Sequence, residues 1–308
     1  MSIRVNNSFI HIYKSPRWVQ DFLDYIVSLL KYVIIKHDLS INIIIGNNAC
    51  KYKDTGHNFK NNNKQIQINI NYEHTLLADE AKIEAPKSKV VCNDTNYLVY
   101  FKNFENLVKS DILLDYSLPN LYNVRTCLHY EYMSKKHLYI APNLYDHLHI
   151  EHKNRNINSL TTFLNVFGKR KAFLINIKKN NLKHSNINNC FKKTEIQKLY
   201  QNTKILINIH RRYEAHSFEE LRCLPALQNG AIVVSEKSPL TNLLPYNKLI
   251  IWEDYDNIID KVKEILNNYE KYYKQIFCEE NINILKNIEY ANKKSIEVKM
   301  LNKLNNLE

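Results

Sequence analysis

Between His216 and Arg222 the chain places an imidazole, two adjacent carboxylates (Glu219 and Glu220) and a guanidinium within seven positions. A guanidinium offers a planar fork of donors that fits phosphate oxygens, and carboxylates accept hydrogen bonds from hydroxyl groups. The cluster follows directly on "KILINIH" (204–210), a short apolar run that ends in His210. Such a run reads as a buried strand, and ligands of open α/β sheets bind beyond the carboxyl ends of strands. The cluster therefore stands where this kind of sheet binds its ligands.

Two local signals disagree about the helix that comes next. Ser217 and Glu220 fit a capping box, which starts the helix near 218 and leaves Pro225 in its interior at a cost of roughly 3 kcal/mol. A start near Arg222 puts Pro225 in the first turn at little cost and leaves Glu219 and Glu220 on the loop, beside a helix N-terminus that attracts phosphate. Gly230 then ends the helix as a left-handed cap, and "AIVVS" (231–235) is the next buried strand, followed by Glu236.

Around this segment the chain alternates short apolar runs with helical patterns. In the first half, "RVNNSFIHIYK", "INIIIG", "KQIQININYEHTLL", "KVVCN" (89–93), "YLVYF" (97–101), "DILLDYS" (111–117) and "HLYIAP" (137–142) read as strands. Ser15 and Pro16 introduce a long amphipathic helix to about His37. In the second half, "LTTFLNVF" (160–167) and "NINNCF" read as strands, as do "KILINIH", "AIVVS" and "KLIIW" (248–252). Helices are expected from Gly168, over "KTEIQKLYQNT", and after Trp252, with one or two more closing the chain. Repeated strand–helix units specify α/β domains with mostly parallel sheets. The expectation is two Rossmann-like doubly wound domains facing a cleft, at 1–150 and 151–290, with a closing helix over 291–308.

Composition narrows the class. The net charge of +12 suits a polyanionic partner, but the lysines look scattered along the chain, as A/T-rich coding would leave them. Six cysteines without a C-x-x-C pair give neither a zinc site nor a disulfide framework, so a reducing, cytoplasmic setting is expected, with Cys190 and Cys223 as core side chains. No signal core opens the chain, and "WVQDFLDYIVSLLKYVII" carries Gln20, Asp21, Asp24 and Lys31, so no membrane span is expected. No G-x-G-x-x-G, P-loop, H-E-x-x-H or G-x-S-x-G occurs, which argues against a dinucleotide oxidoreductase, a P-loop ATPase and a serine hydrolase.

"INIH" at 207–210 and "FEELRCLPALQNGAIVVSE" at 218–236 resemble the donor-binding half of GT-B glycosyltransferases, in particular spore-coat-related and giant-virus glycosyltransferase-like proteins. The resemblance covers about residues 160–270; the first half matches only in the order of its elements. It implies transfer of a sugar from a nucleotide-sugar donor to a glycan or protein acceptor, in the host cytoplasm if the chain is viral, with no cofactor and no essential metal.

The resemblance implies that Arg222, with Lys169 or Arg170 of "GKRKAF" (168–173), neutralises the donor's diphosphate. Glu219 or Glu220 would take ribose or sugar hydroxyls, His210 or His216 the sugar or phosphate, and Ser235 and Glu236 complete the donor side. One departure stands out. The two glutamates that retaining members place with seven residues between them correspond here to Ser217 and Pro225, so Glu219, Glu220 or Glu236 replaces the ribose contact, the chain binds its donor differently, or it is a scaffold without catalysis. An acceptor base is sought at strand ends in the first half, among Glu73, His74 and Asp115. "DYD" (254–256) matches an Asp-x-Asp metal motif but reads as cap and first-turn acids of a helix. A nucleic-acid-binding or nucleic-acid-modifying protein is the second reading, supported by charge alone.

Overall fold

The computed structural model describes residues 1–13, 15–47, 63–73, 75–78, 87–92, 95–100, 107, 109–124, 130–190, 192–213 and 215–306. They fall into two compact units, Met1–Pro142 with Glu289–Glu308, and Asn143–Ile288.

The first unit opens with a hairpin, β1 (Ser2–Val5) and β2 (Ser8–Ile12), whose turn uses Asn6 at φ 50°. Then come α1 (Gln20–Lys36), β3 (Ile41–Asn47), β4 (Lys64–Asn71), β5 (Leu76–Ala78), β6 (Lys87–Cys92), β7 (Thr95–Tyr100), β8 (Ile112–Asp115), α2 (Leu118–Val124), α3 (Tyr130–Met133) and β9 (His137–Tyr139). Among the described residues the sheet order is β1-β2-β3-β4-β8-β9, parallel from β2 onward. β5, β6 and β7 form a separate antiparallel sheet, where parallel strands were expected. On α1, Phe22, Ile26, Val33 and neighbours at helical spacing are buried, so its length serves the core. Among the described residues no helix is long and apolar enough to cross a membrane.

The second unit contains β10 (Ile157–Thr161), α4 (Gly168–Lys179), β11 (His184–Asn186), α5 (Lys193–Gln201), β12 (Thr203–Asn208), α6 (Glu220–Gln228), β13 (Ile232–Glu236), β14 (Ile250–Glu253), α7 (Ile258–Asn267) and α8 (Tyr269–Ile276). One helix, α9 (Glu279–Asn305), closes the chain, and in the first unit its Asn292 exchanges hydrogen bonds with the backbone of Ala141 (2.8 and 3.1 Å). The sheet of the second unit is wholly parallel, in the order β11-β10-β12-β13-β14. From β10 the chain moves outward to the edge strand β11 and returns past β10 to β12. Right-handed crossovers then put α4 on one face and α5 and α6 on the other, which opens a crevice beyond the carboxyl ends of β10 and β12.

Two expected strands are shorter than their apolar runs. β10 ends at Thr161, so 162–167 is loop, and β11 covers 184–186 rather than "NINNCF". Hydrophobicity there is not burial: Leu164 and Phe167 are 50% and 47% exposed.

α6 starts between the two expected positions, and Pro225 lies in its interior, where it cannot donate to the carbonyl of Leu221. The helix ends as a Schellman motif: Gly230 N–H donates to Leu227 O (2.9 Å), Ala231 N–H donates to Ala226 O (3.0 Å), and Gly230 takes φ 70°. The buried Arg155 packs against this end. Its guanidinium donates to the carbonyls of Glu151, Tyr200, Thr203 and Asn229 (2.6–2.9 Å), which places a cation at the C-terminal ends of α5 and α6.

His184, on the edge strand, lies 2.9 Å from Ser159 Oγ and 3.0 Å from Thr161 Oγ1, and burial pushes its pKa down to about 4. An unfolded histidine takes its proton near 6.5. The neutral ring therefore stabilises the fold fully above pH 6.5, and that contribution is lost as pH falls from 6.5 toward 4, about 2 kcal/mol of it by pH 5. Denaturant midpoints measured from pH 7 to 5 should fall more steeply for the natural protein than for His184→Asn; equal slopes would mean that the ring is not held neutral.

Candidate functional site

The site is built on the switch point of the second unit. α4 begins with Gly168 at φ 53° and has neither a capping side chain nor an acid in its first turn. In that turn Lys169 and Arg170 are buried at 5% and 4% exposure, while Lys171 is exposed. Buried cations at the positive end of a helix dipole are doubly unfavourable unless anions answer them. Two carboxylates from other elements do so. Lys169 Nζ donates to Glu236, at the end of β13, and Arg170 Nη2 donates to Glu219 Oε1 at 2.8 Å. Arg170 also donates to the carbonyl of Ile209, just past β12 (3.1 Å).

Glu219 is the N-cap residue of α6, and it bridges two guanidinium groups. Oε1 accepts from Arg170 and Oε2 lies 2.8 Å from Arg222 Nη2. Arg222 Nη1 donates to Asn208 Oδ1 (3.0 Å), and Asn208 Nδ2 donates to Ser235 Oγ (3.0 Å), its neighbour across β12 and β13. Both guanidinium groups lie over the ring of Phe163, at 4.5 Å for Arg170 and 5.8 Å for Arg222. Burial pulls the Arg170 pKa below its usual value; Glu219 opposes the fall, and the like charges of Arg222 and Arg211 add to it. Two arginines on one aromatic face thus depend on an anion between them.

Beside them, Glu236 also organises His210. Its Oε2 accepts from the His210 backbone N–H (3.1 Å) and lies 3.4 Å from the ring Nδ1, while Nε2 is 2.7 Å from Ser238 Oγ. His216 stacks edge-on against the His210 ring at 5.7 Å. Lys169 is further enclosed by the rings of Tyr255 (4.8 Å) and Tyr213 (5.2 Å). Of the expected donor-side residues, the structure brings together Lys169, Arg170, His210, His216, Glu219, Arg222, Ser235 and Glu236.

Glu220 is a correction. It is fully buried and its Oε2 accepts from Tyr246 OH at 2.5 Å, so it has no surface to offer a ribose or sugar hydroxyl. Asp115 is another. Its carboxylate, fully buried, accepts from Asn71 (2.7 Å), Ser117 N–H (3.0 Å) and Asn120 (3.1 Å) and lies 3.1 Å from His137 Nε2, which makes it an internal organiser and not an acceptor base. Glu73 is half-buried just past β4, and His74 lies outside the described residues. Asp254 forms no cap bond but pairs with Lys237 (2.8 Å), and Asp256 falls in a 3-10 turn. Among the described residues no three His, Cys, Asp or Glu side chains cluster so as to hold a metal ion.

Sequence reasoning missed Phe163, Asn208, Ser238 and Tyr246. Asn208 could have been found from its place in "INIH" at the strand end; Ser238 and Tyr246 stand 28 and 26 residues from their partners and leave no local signal, and Phe163, seven residues before Arg170, sits in a run that reads as strand.

No family model matches the chain. An uncharacterized protein of Acanthamoeba polyphaga mimivirus is 41% identical over 96 residues, which is 30% of this chain and 34% of that one. Among solved structures, TarM is similar with a TM-score of 0.52 at 15% identity, covering 89% of this chain and 57% of TarM. The chain thus spans about a third and somewhat more than half of these two proteins. The DNA-modifying enzyme β-glucosyltransferase, studied with and without uridine diphosphoglucose, gives a TM-score of 0.47 at 9% identity, covering 97% and 99% of the two chains. Sucrose-phosphate synthase from Thermosynechococcus elongatus gives 0.42 at 11%, covering 96% and 80%. The likeness to TarM is one of fold, and the chain has the two-unit α/β fold of GT-B glycosyltransferases.

Proposed function

We propose that this chain is a glycosyltransferase that takes a sugar from a nucleotide-sugar donor held at the switch point of the second unit and needs no metal ion. The supporting observation is the convergence of three largely buried cations, Lys169, Arg170 and Arg222, beside the uncapped first turn of α4. Glycosyl transfer from such a donor breaks the bond between the sugar's anomeric carbon and the diphosphate, and charge grows on the departing phosphate oxygen. Fixed cations and backbone N–H groups aimed at that oxygen supply the stabilisation that a divalent ion would otherwise give. Glu219 and Glu236 hold the cations at a set spacing and present oxygens to ribose or sugar hydroxyls. His210, oriented by Glu236 and Ser238, contacts the sugar or phosphate. The acceptor hydroxyl forms the new bond to the anomeric carbon and gives its proton to a general base.

Thermal unfolding with a panel of nucleotide sugars, each with and without EDTA, tests this. A ligand at about a hundred times its Kd stabilises a fold by roughly 2.7 kcal/mol. One nucleotide series should raise the unfolding temperature equally in both conditions. A shift abolished by EDTA would contradict metal independence, and no shift with any nucleotide would contradict the donor site.

A further inference from the structure

The positive charge is not spread along the chain. Residues 153–212 hold fourteen Lys and Arg against one acid, Glu195, a net of +13, so the rest of the chain nets −1 within the total of +12. A coding bias that enriches lysine everywhere does not produce that division. The segment runs from β10 through α4, β11 and α5 to the loop after β12.

Three of these cations, Arg155, Lys169 and Arg170, are buried and answered within the fold. Among the described residues, exposed Lys171, Lys178, Lys179, Lys183, Arg211 and Arg212 have no carboxylate partner. They form a track. Lys171 in the first turn of α4, with Arg211 and Arg212 after β12, lies at the sheet edge that carries the candidate donor site. Lys178, Lys179 and Lys183 lie at the other end of α4, next to the edge strand β11. Lys171 stands seven and eight residues before Lys178 and Lys179 on α4, about 11–12 Å along the helix axis. At the donor end two aromatic rings are exposed, Phe167 at 47% and Tyr213 at 60%. The Arg211 guanidinium lies 5.7 Å from the Phe167 ring and Lys169 5.2 Å from the Tyr213 ring.

Exposed rings flanked by cations, at the head of a basic track, are the means by which proteins hold unpaired bases and their phosphates. We propose that the acceptor is a single-stranded nucleic acid, whose phosphates follow the track from β11 to Arg211 and Arg212 and whose bases stack on Phe167 and Tyr213. This rests on the donor-site reading for its catalytic meaning, but the binding itself does not.

Fluorescence anisotropy with labelled oligo-dT and oligo-U over a salt series tests it, with heparin, duplex DNA and phosphatidylserine vesicles as competitors. Single strands should bind, more tightly than any competitor. Arg211→Ala with Arg212→Ala should weaken binding at least tenfold at low salt and flatten the log–log salt dependence by about 1.4. Phe167→Ala with Tyr213→Ala, which removes two stacking rings, should weaken it at least about thirtyfold with the salt dependence unchanged. Lys237→Ala, off the track, should change nothing, and circular dichroism spectra and unfolding temperatures like those of the natural protein would show the variants folded. Equal binding of heparin or duplex, preference for vesicles, or no binding of single strands would each overturn the proposal. A nucleotide shift without strand binding would sink this inference alone; strand binding without a nucleotide shift would sink the donor site and leave a binding protein.

Discussion

Arg222→Ala should lower kcat/KM for the donor at least tenfold, and up to about a hundredfold, while lowering stability by no more than about 1–3 kcal/mol. The side chain is 14% exposed, contacts the Phe163 ring, and shares Glu219 with Arg170. Once Arg222 is gone, Glu219 still has Arg170, so no buried charge is stranded, and the stability cost is that of the buried Asn208 Oδ1 losing its donor. What disappears is one of three cations facing the ligand. A hydrogen bond to a charged group is worth about 1.5–3 kcal/mol, and a tenfold loss corresponds to about 1.4 kcal/mol. Steady-state kinetics beside a melting curve separates the two effects. Unchanged kcat/KM would remove Arg222 from the site, and a large loss of stability would make it a structural residue.

Gly230→Ala should destabilise the protein by about 3 kcal/mol or more, in contrast to Gly168→Ala. Both glycines have positive φ, which costs an L-residue about 1–2 kcal/mol. Their surroundings differ. A Cβ at Gly168 meets nothing within 4 Å, whereas at Gly230 it would lie 2.4 Å from Arg155 Nη2, 2.6 Å from the carbonyl oxygen of His149 and 2.8 Å from Tyr273 OH. Arg155 is held by four carbonyls and His149 O is main chain, so neither can step aside. Overpacking of this kind adds about 1–3 kcal/mol. Denaturant midpoints for the two variants give the comparison directly; equal losses would show that the αL conformation alone accounts for Gly230.

These cases also show what could be read from the sequence. The segment from β12 through α6 to β13 was legible because its strands are short apolar runs and its helix ends in a lone glycine, and both are local signals. The loop 162–167 was misread because Phe163, Leu164, Val166 and Phe167 are as apolar as a strand; only the sheet register shows that pairing stops at Thr161. Pro225 made a later start for α6 attractive, yet the helix begins at Glu220, whose carboxylate is fixed by Tyr246, 26 residues on. Long-range partners were the main blind spot. Asp115 at a strand end looks like a base until Asn71, Asn120 and His137 are brought around it. Likewise the pairing of Glu219 with Arg170 and of Glu236 with Lys169 joins residues 49 and 67 positions apart. Charge was misread for another reason: lysine is frequent enough everywhere to look uniform until the acids are counted alongside it.

Titration calorimetry of nucleoside diphosphates into the natural protein and Arg222→Ala, in EDTA, addresses the central claim most directly. The account predicts that diphosphates of one base bind the natural protein without metal, and that the substitution weakens them at least tenfold. Equal affinity in both proteins, or no binding to either, would contradict a donor site built on Lys169, Arg170 and Arg222.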